Sequence, residues 1–165
     1  MANRRSGTSI GSVDSRASKH RERINLEGEA PGAYRAMAAF DRSIELDPAL
    51  RELVKIRASQ LNGCAYCIAL HTRDARQAGE SEQRLYALAA WRESPLFTSR
   101  ERAALELTDT ITEIGESGVP DAVYERAAAE FPAGELANLI LAITAINAWN
   151  RIAVSSGIVF TDSVV

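Results

Sequence analysis

The chain has 165 residues, 46% of them hydrophobic and 25% charged, with a formal net charge of -3. That length buries a core without metals or disulfides as staples, and the slightly acidic balance excludes the global basic field that draws a chain to nucleic acid or an anionic membrane. The longest nearly apolar run, Leu136 to Ile146, contains Asn138 and falls short of the ~20 residues of a bilayer span; the N-terminus lacks the apolar middle of a secretory signal.

Residues 1–23 are rich in Ser, Gly and Arg and show no apolar periodicity. Arg4, Arg5, Arg16, Lys19, Arg21 and Arg23 face only Asp14 and Glu22 there, so a basic, flexible or loosely docked extension is expected ahead of one domain over 24–165, with a targeting segment or a phosphate-binding arm as the alternatives. Gly7-Thr-Ser9-Ile-Gly11 matches the G-x-S-x-G pattern, but that motif needs a strand before the serine and a helix after it. The surrounding residues support neither.

From Pro31 onward the pattern is helix after helix. Ala33 to about Ile44 carries Tyr34, Met37, Ala38 and Phe40 at close to helical spacing. Asp47-Pro48 is a start signal, a capping carboxylate followed by Pro at the first helical position. The helix it opens has Leu50, Leu53, Val54, Ile56 and Leu61 as its apolar stripe and Arg51, Lys55 and Arg57 as a charged face, with Lys55 and Arg57 expected to be solvated or to meet another subunit. Asn62-Gly63 interrupts it, because both residues tolerate positive φ.

A new helix is expected beside Cys64, running to about Gln77 with Gly79 as terminator. Ser81 caps Glu82 to Trp91, and Ser94-Pro95 breaks the chain. Thr98-Ser-Arg-Glu101 is a capping-box pattern that opens a helix with Ala103, Leu107, Ile111 and Ile114 on its buried side. Pro120 starts a short helix carrying Val123, Ala127 and Phe131, and the last helix, from about Gly134 to Ile152, is apolar on most sides. Asn147 and Asn150 within it require buried partners or an oligomer contact. Val154 to Phe160 includes a short β-prone run, but one strand cannot pair alone. With no strand–helix alternation and no internal repeat, the fold class is all-α, a compact bundle of about six to seven helices.

The reactive groups concentrate between Glu52 and His71, which hold both cysteines and one of the two histidines. At ~100° per residue, Cys64, Cys67 and His71 occupy one narrow helical stripe. The Asn62-Gly63 break puts both thiols in a first helical turn, where unpaired N–H groups and the positive end of the macrodipole stabilise a thiolate. Three readings fit these residue types. The cysteines form a buried structural pair, or a metal site with His71 and Glu52 or His20, or a dithiol redox centre. Structural zinc wants four ligands, and a second CxxC or an H-x3-5-H is missing. A CxxC without an export signal points to a reducing, cytoplasmic compartment, and a thioredoxin-like CxxC would need a βαβ pattern that is absent. Glu52 lies ~18 Å from Cys64 along one continuous helix, so it approaches the thiols only if the chain folds back at Asn62-Gly63.

The run Arg51-Glu-Leu-Val-Lys-Ile-Arg-Ala-Ser-Gln-Leu-Asn-Gly-Cys-Ala-Tyr-Cys-Ile-Ala-Leu-His71, continuing to Gly79, resembles the core of the AhpD-like alkylhydroperoxidases of the carboxymuconolactone decarboxylase superfamily. Leu85 to Glu93 and Ile146 to Ile152 are also similar to segments of its small members, and the likeness covers roughly Arg23 to Ile158. The resemblance implies an AhpD-like helical subunit in a homo-oligomer, trimer or hexamer, with no metal and no organic cofactor. It implies that Cys67 attacks a hydroperoxide, that Cys64 resolves the sulfenic acid to a disulfide, and that His71 and Glu52 relay protons. An external dithiol, a lipoyl group or a thioredoxin-type protein, then restores the pair. The substrates so implied are hydrogen peroxide or organic hydroperoxides; the superfamily's other chemistry, cofactor-free decarboxylation, needs no paired thiols, and a non-catalytic redox-sensing oligomer is the remaining alternative. Position 66 departs from the pattern: members with the full relay carry a second histidine between the cysteines, where this chain has Tyr66.

Overall fold

The computed structural model describes residues 22–159. The expectations for the basic arm up to Arg21, for Gly7–Gly11 and for His20 lie outside the described residues, as does Phe160; the Arg23 N–H bonds the Ser156 carbonyl at 2.7 Å. Among the described residues there is no strand, and eight α-helices follow one another: α1 (Leu26–Glu29), α2 (Pro31–Arg42), α3 (Pro48–Leu61), α4 (Ala65–Gln77), α5 (Glu82–Ala87), α6 (Ser99–Thr112), α7 (Asp121–Glu130) and α8 (Ala133–Ser156). A short 3-10 turn, Leu88–Ala90, continues α5. The count exceeds the expected six to seven because of α1, a single turn capped by Asn25 that buries none of its residues and so shows no apolar spacing.

The helix boundaries follow from local chemistry. Asp47 accepts from the Leu50 N–H at 3.0 Å, with Pro48 as the first residue of α3. Thr98 and Glu101 form the reciprocal capping box of α6. Ser81 caps α5. Two expectations are corrected. Ile114 lies beyond the end of α6 and is 59% exposed, since the helix stops at Thr112 before the apolar spacing does. Val154 is not strand-like but part of α8, which continues to Ser156 and ends on Gly157 at φ 72°.

α8 and α3 form the centre of the bundle. Leu139, Ala142, Ile143, Ala145 and Ile146 of α8 are fully buried, and each Leu or Ile so buried contributes roughly 1.5–3 kcal/mol. By length and composition α8 could cross a bilayer, although its longest unbroken apolar run is short; here its apolar faces pack against α3, α6 and α2. One cluster joins Leu50 and Val54 of α3 to Leu107 of α6, Ala127 of α7 and α8. A second, built on Leu53, Ile56, Leu88, Trp91 and Leu105, seats α5 and the 3-10 turn. A third is small and consists of Ala58, Cys64, Cys67, Ile146 and Ala153. The cysteines therefore sit where α3, α4 and α8 converge.

Candidate active site

The chain reverses between α3 and α4, and the reversal is written in the backbone. Gly63 takes φ 65°, a conformation that costs a residue with a Cβ. Its N–H bonds the Gln60 carbonyl at 3.3 Å, and the Cys64 N–H bonds the Ser59 carbonyl at 3.0 Å. These are the two bonds of a Schellman termination. Side chains lock the same turn. The Asn62 amide donates to Asn147 Oδ1 and Asn150 Oδ1 of α8, both at 2.9 Å. Asn150, fully buried, donates in turn to Ser59 Oγ, and Asn147 to Thr112 Oγ1, each at 2.9 Å. The buried partners that Asn147 and Asn150 require are therefore present within the chain.

Cys64 is the N-cap of α4, not a helical residue, so it stands just off the stripe that Cys67 and His71 share. Its sulfur accepts from the Cys67 N–H at 3.3 Å. The two cysteines are joined by a disulfide with their Cα atoms 5.4 Å apart. Both are buried, Cys64 at 1% exposure and Cys67 at 3%, but only Cys67 borders an open cavity.

Folding back brings Glu52 to the partner it could not reach along one helix. Glu52 Oε2 lies 2.8 Å from His71 Nδ1, with both side chains 12% exposed. A carboxylate can only accept, so Nδ1 carries the hydrogen and Nε2 is left as the basic nitrogen of the neutral ring. His71 shares with Cys67 a cavity of about 240 Å³. Tyr66 and Leu70 continue the α4 wall, and Tyr34 and Trp149 close it from α2 and α8, their rings edge to face with centroids 5.2 Å apart. Burial, then Glu27 and Tyr66, push the Tyr34 hydroxyl above its ordinary range, so it remains a neutral phenol near neutral pH. The arrangement offers one reachable sulfur, one positioned base and a mostly apolar enclosure, with a second sulfur behind the first.

The carboxymuconolactone decarboxylase family model matches residues 31–110, a span that includes Glu52, both cysteines and His71. An uncharacterised protein of Bacillus subtilis, YdfG, is 45% identical over 121 residues, 73% of this chain and 82% of that protein. A solved structure from Agrobacterium tumefaciens, of a protein of unknown function assigned provisionally to AhpD-type antioxidant defence, matches with a TM-score of 0.79. It is 41% identical and covers 82% of this chain and 95% of that one. The chain belongs to the carboxymuconolactone decarboxylase family, in its AhpD-like branch. A peroxidase-related protein from Ralstonia eutropha with an alkylhydroperoxidase AhpD core shares the fold, with a TM-score of 0.73 at 19% identity over 84% of this chain and 75% of that one.

Within this AhpD-like frame two cations differ from their expected surface role. Lys55 is not solvated: its side chain is 7% exposed and its ammonium lies 2.9 and 3.0 Å from the two Asp41 oxygens. Arg57 is half-buried, binding Asp109 through Nε at 2.6 Å and a second nitrogen at 3.2 Å. Asp109 also accepts from Trp91 Nε1 at 3.1 Å and from Arg92. Burial pushes the Asp109 carboxyl up, but the bonds from Arg57 and Arg92 outweigh it and hold it below the ordinary range. A partner 14 or 52 residues away leaves no mark on the spacing of one helix.

Sequence spacing also missed Tyr34, Asp41 and Trp149 as cavity residues, because they come from helices far from the CxxC. Glu52, His71 and Asp74 present ligand-type atoms within 4.8 Å of one another. In this arrangement Glu52 and His71 are bonded to each other and Asp74 to Arg73.

Proposed function

We propose that this chain is a thiol-dependent hydroperoxidase of the AhpD-like type. The observation that carries the reading is the cavity where Cys67 and His71 meet, with the His71 ring held by Glu52 at 2.8 Å and Cys64 bonded behind Cys67. In the reduced enzyme His71 accepts the Cys67 proton, and the position of Cys67 in the first turn of α4 favours the thiolate. The thiolate sulfur attacks the terminal oxygen of R–O–O–H. The O–O bond breaks, an S–O bond forms, and the departing alkoxide takes the proton held by His71 to leave as alcohol. Cys64 then attacks the sulfenic sulfur, forming the disulfide and releasing water. An external dithiol returns two electrons and two protons by exchange through a mixed disulfide. The sum is one hydroperoxide and one dithiol converted to alcohol, water and a disulfide.

Homo-oligomeric assembly belongs to the same reading. A shallow apolar groove of about 270 Å³ between α7 and α8, flanked by Tyr124 and Ile140, and the exposed Leu141 support a subunit contact there. The reading is tested by hydroperoxide consumption with lipoyl and thioredoxin-type donors. Turnover with at least one donor, abolished by Cys67→Ser, is expected. Equal consumption by wild type and Cys67→Ser would overturn it.

A further inference from the structure

The cavity in front of Cys67 has two kinds of wall. Tyr34, Leu70, Trp149 and Ile152 make it largely apolar. Among the described residues, and apart from His71, one ionisable acid or base with a full charge borders it, Asp41 of α2. The Asp41 side chain is 22% exposed, while that of Lys55, bonded to it, is 7% exposed and does not line the space. The ion pair therefore stands with its negative end toward an incoming molecule and its positive end buried behind.

A charge pair oriented in this way discriminates by sign. A neutral substrate meets apolar rings and loses little by entering. One carrying a carboxylate or phosphate meets Asp41 at short range in an enclosure that screens poorly. Removing the Asp41 charge does more than relieve repulsion, because Lys55 stays behind as a buried cation without a counter-ion. The site then attracts the anions that it formerly turned away.

We infer that Asp41 is a specificity-determining residue that restricts this site to neutral, apolar organic hydroperoxides small enough for about 240 Å³, excluding those bearing an anionic group. The inference rests on Cys67 being the reacting thiol of that cavity. It assigns Asp41 no part in proton transfer.

The test uses the reduced protein in a Cys64→Ser background, so that Cys67 is the sole thiol. Rates of alkylation by iodoacetamide and iodoacetate are measured at low ionic strength, each divided by its rate with the same protein unfolded in urea. The neutral reagent is expected to be favoured by about two- to fivefold, less than one bare like charge would give because the Lys55 ammonium lies 2.9 Å from Asp41, and the preference is expected to shrink with added salt. Asp41→Asn should abolish or invert it. Where that variant folds poorly, Asp41→Asn with Lys55→Met removes both charges, and the preference should fall to about one. A normalised ratio near one in the wild-type cavity, or a preference that survives loss of the Asp41 charge, overturns the inference.

A second arm compares cumene hydroperoxide with its ring-carboxylated analogue as oxidants of the protein with both cysteines. Faster oxidation by the neutral peroxide supports the inference, and equal rates oppose it. If neither peroxide oxidises the thiols, the hydroperoxidase reading fails while the alkylation ratio still decides the role of Asp41.

Discussion

Replacing Glu52 by Gln tests the proton pathway with little change of shape. Gln keeps an oxygen able to accept from His71 Nδ1 at the observed 2.8 Å, but it carries no charge to stabilise an imidazolium. Hydrogen bonds to charged groups contribute roughly 1.5–3 kcal/mol and neutral ones roughly 0.5–1.5, so the substitution removes about 1–2 kcal/mol from any state in which His71 holds the Cys67 proton. At about 1.4 kcal/mol per factor of ten, oxidation of the reduced protein should slow by roughly 5- to 30-fold. The assay is stopped-flow oxidation by cumene hydroperoxide, read through Trp149, which borders the same cavity as Cys67, and through quenched thiol counts. Thermal midpoints measured alongside separate a damaged fold from a damaged pathway. A Glu52→Gln protein that is folded and oxidised at the wild-type rate would refute the role given to the Glu52–His71 pair.

Three further outcomes follow from the scaffold. Asp109→Asn leaves the half-buried Arg57 without its carboxylate; stability should fall by about 3 kcal/mol, a Tm lower by roughly 6–12 °C for a chain of this size, read by thermal melts. The Asp109 and Glu101 carboxyls are both held below their ordinary range: burial raises each, and bonds from Arg57 and Arg92, or from Arg84 and Thr98, outweigh it. A depressed folded pKa contributes stability above the unfolded value and loses it as pH falls, so urea midpoints should decline below pH ~4, less steeply in Asp109→Asn. Gly63→Ala forces a Cβ into φ 65°, and a cost of about 1–2 kcal/mol should appear in urea melts.

The ends of the helices were legible because their signals are local. Asp47-Pro48, Thr98 to Glu101 and Ser81 each cap where their chemistry places them. The Cys64, Cys67 and His71 cluster was legible as residue types, and the Asn62-Gly63 break as a turn. The Glu52–His71 bond was only permitted, since it depends on two helices packing side by side. Lys55 and Arg57 were read as a solvated or inter-subunit face because an isolated amphipathic helix puts its charges outside, while their partners Asp41 and Asp109 come from α2 and α6. Tyr34 and Trp149 meet only when α2 and α8 pack together, so the walls of the cavity belong to the tertiary structure. The short α1 buries nothing and left no hydrophobic period to detect.

In the proposed cycle, Cys67 is oxidised by hydroperoxide and Cys64 resolves it. One titration addresses it directly: fully reduced protein is treated with one equivalent of cumene hydroperoxide, and thiols, sulfenic acid and alcohol are counted. Wild type should lose two thiols and yield one alcohol per chain, Cys64→Ser should stop at a sulfenic acid on Cys67, and Cys67→Ser should leave both thiol and peroxide untouched. Peroxide consumed by Cys67→Ser at the wild-type rate, or a wild-type protein that keeps both thiols, would contradict the account.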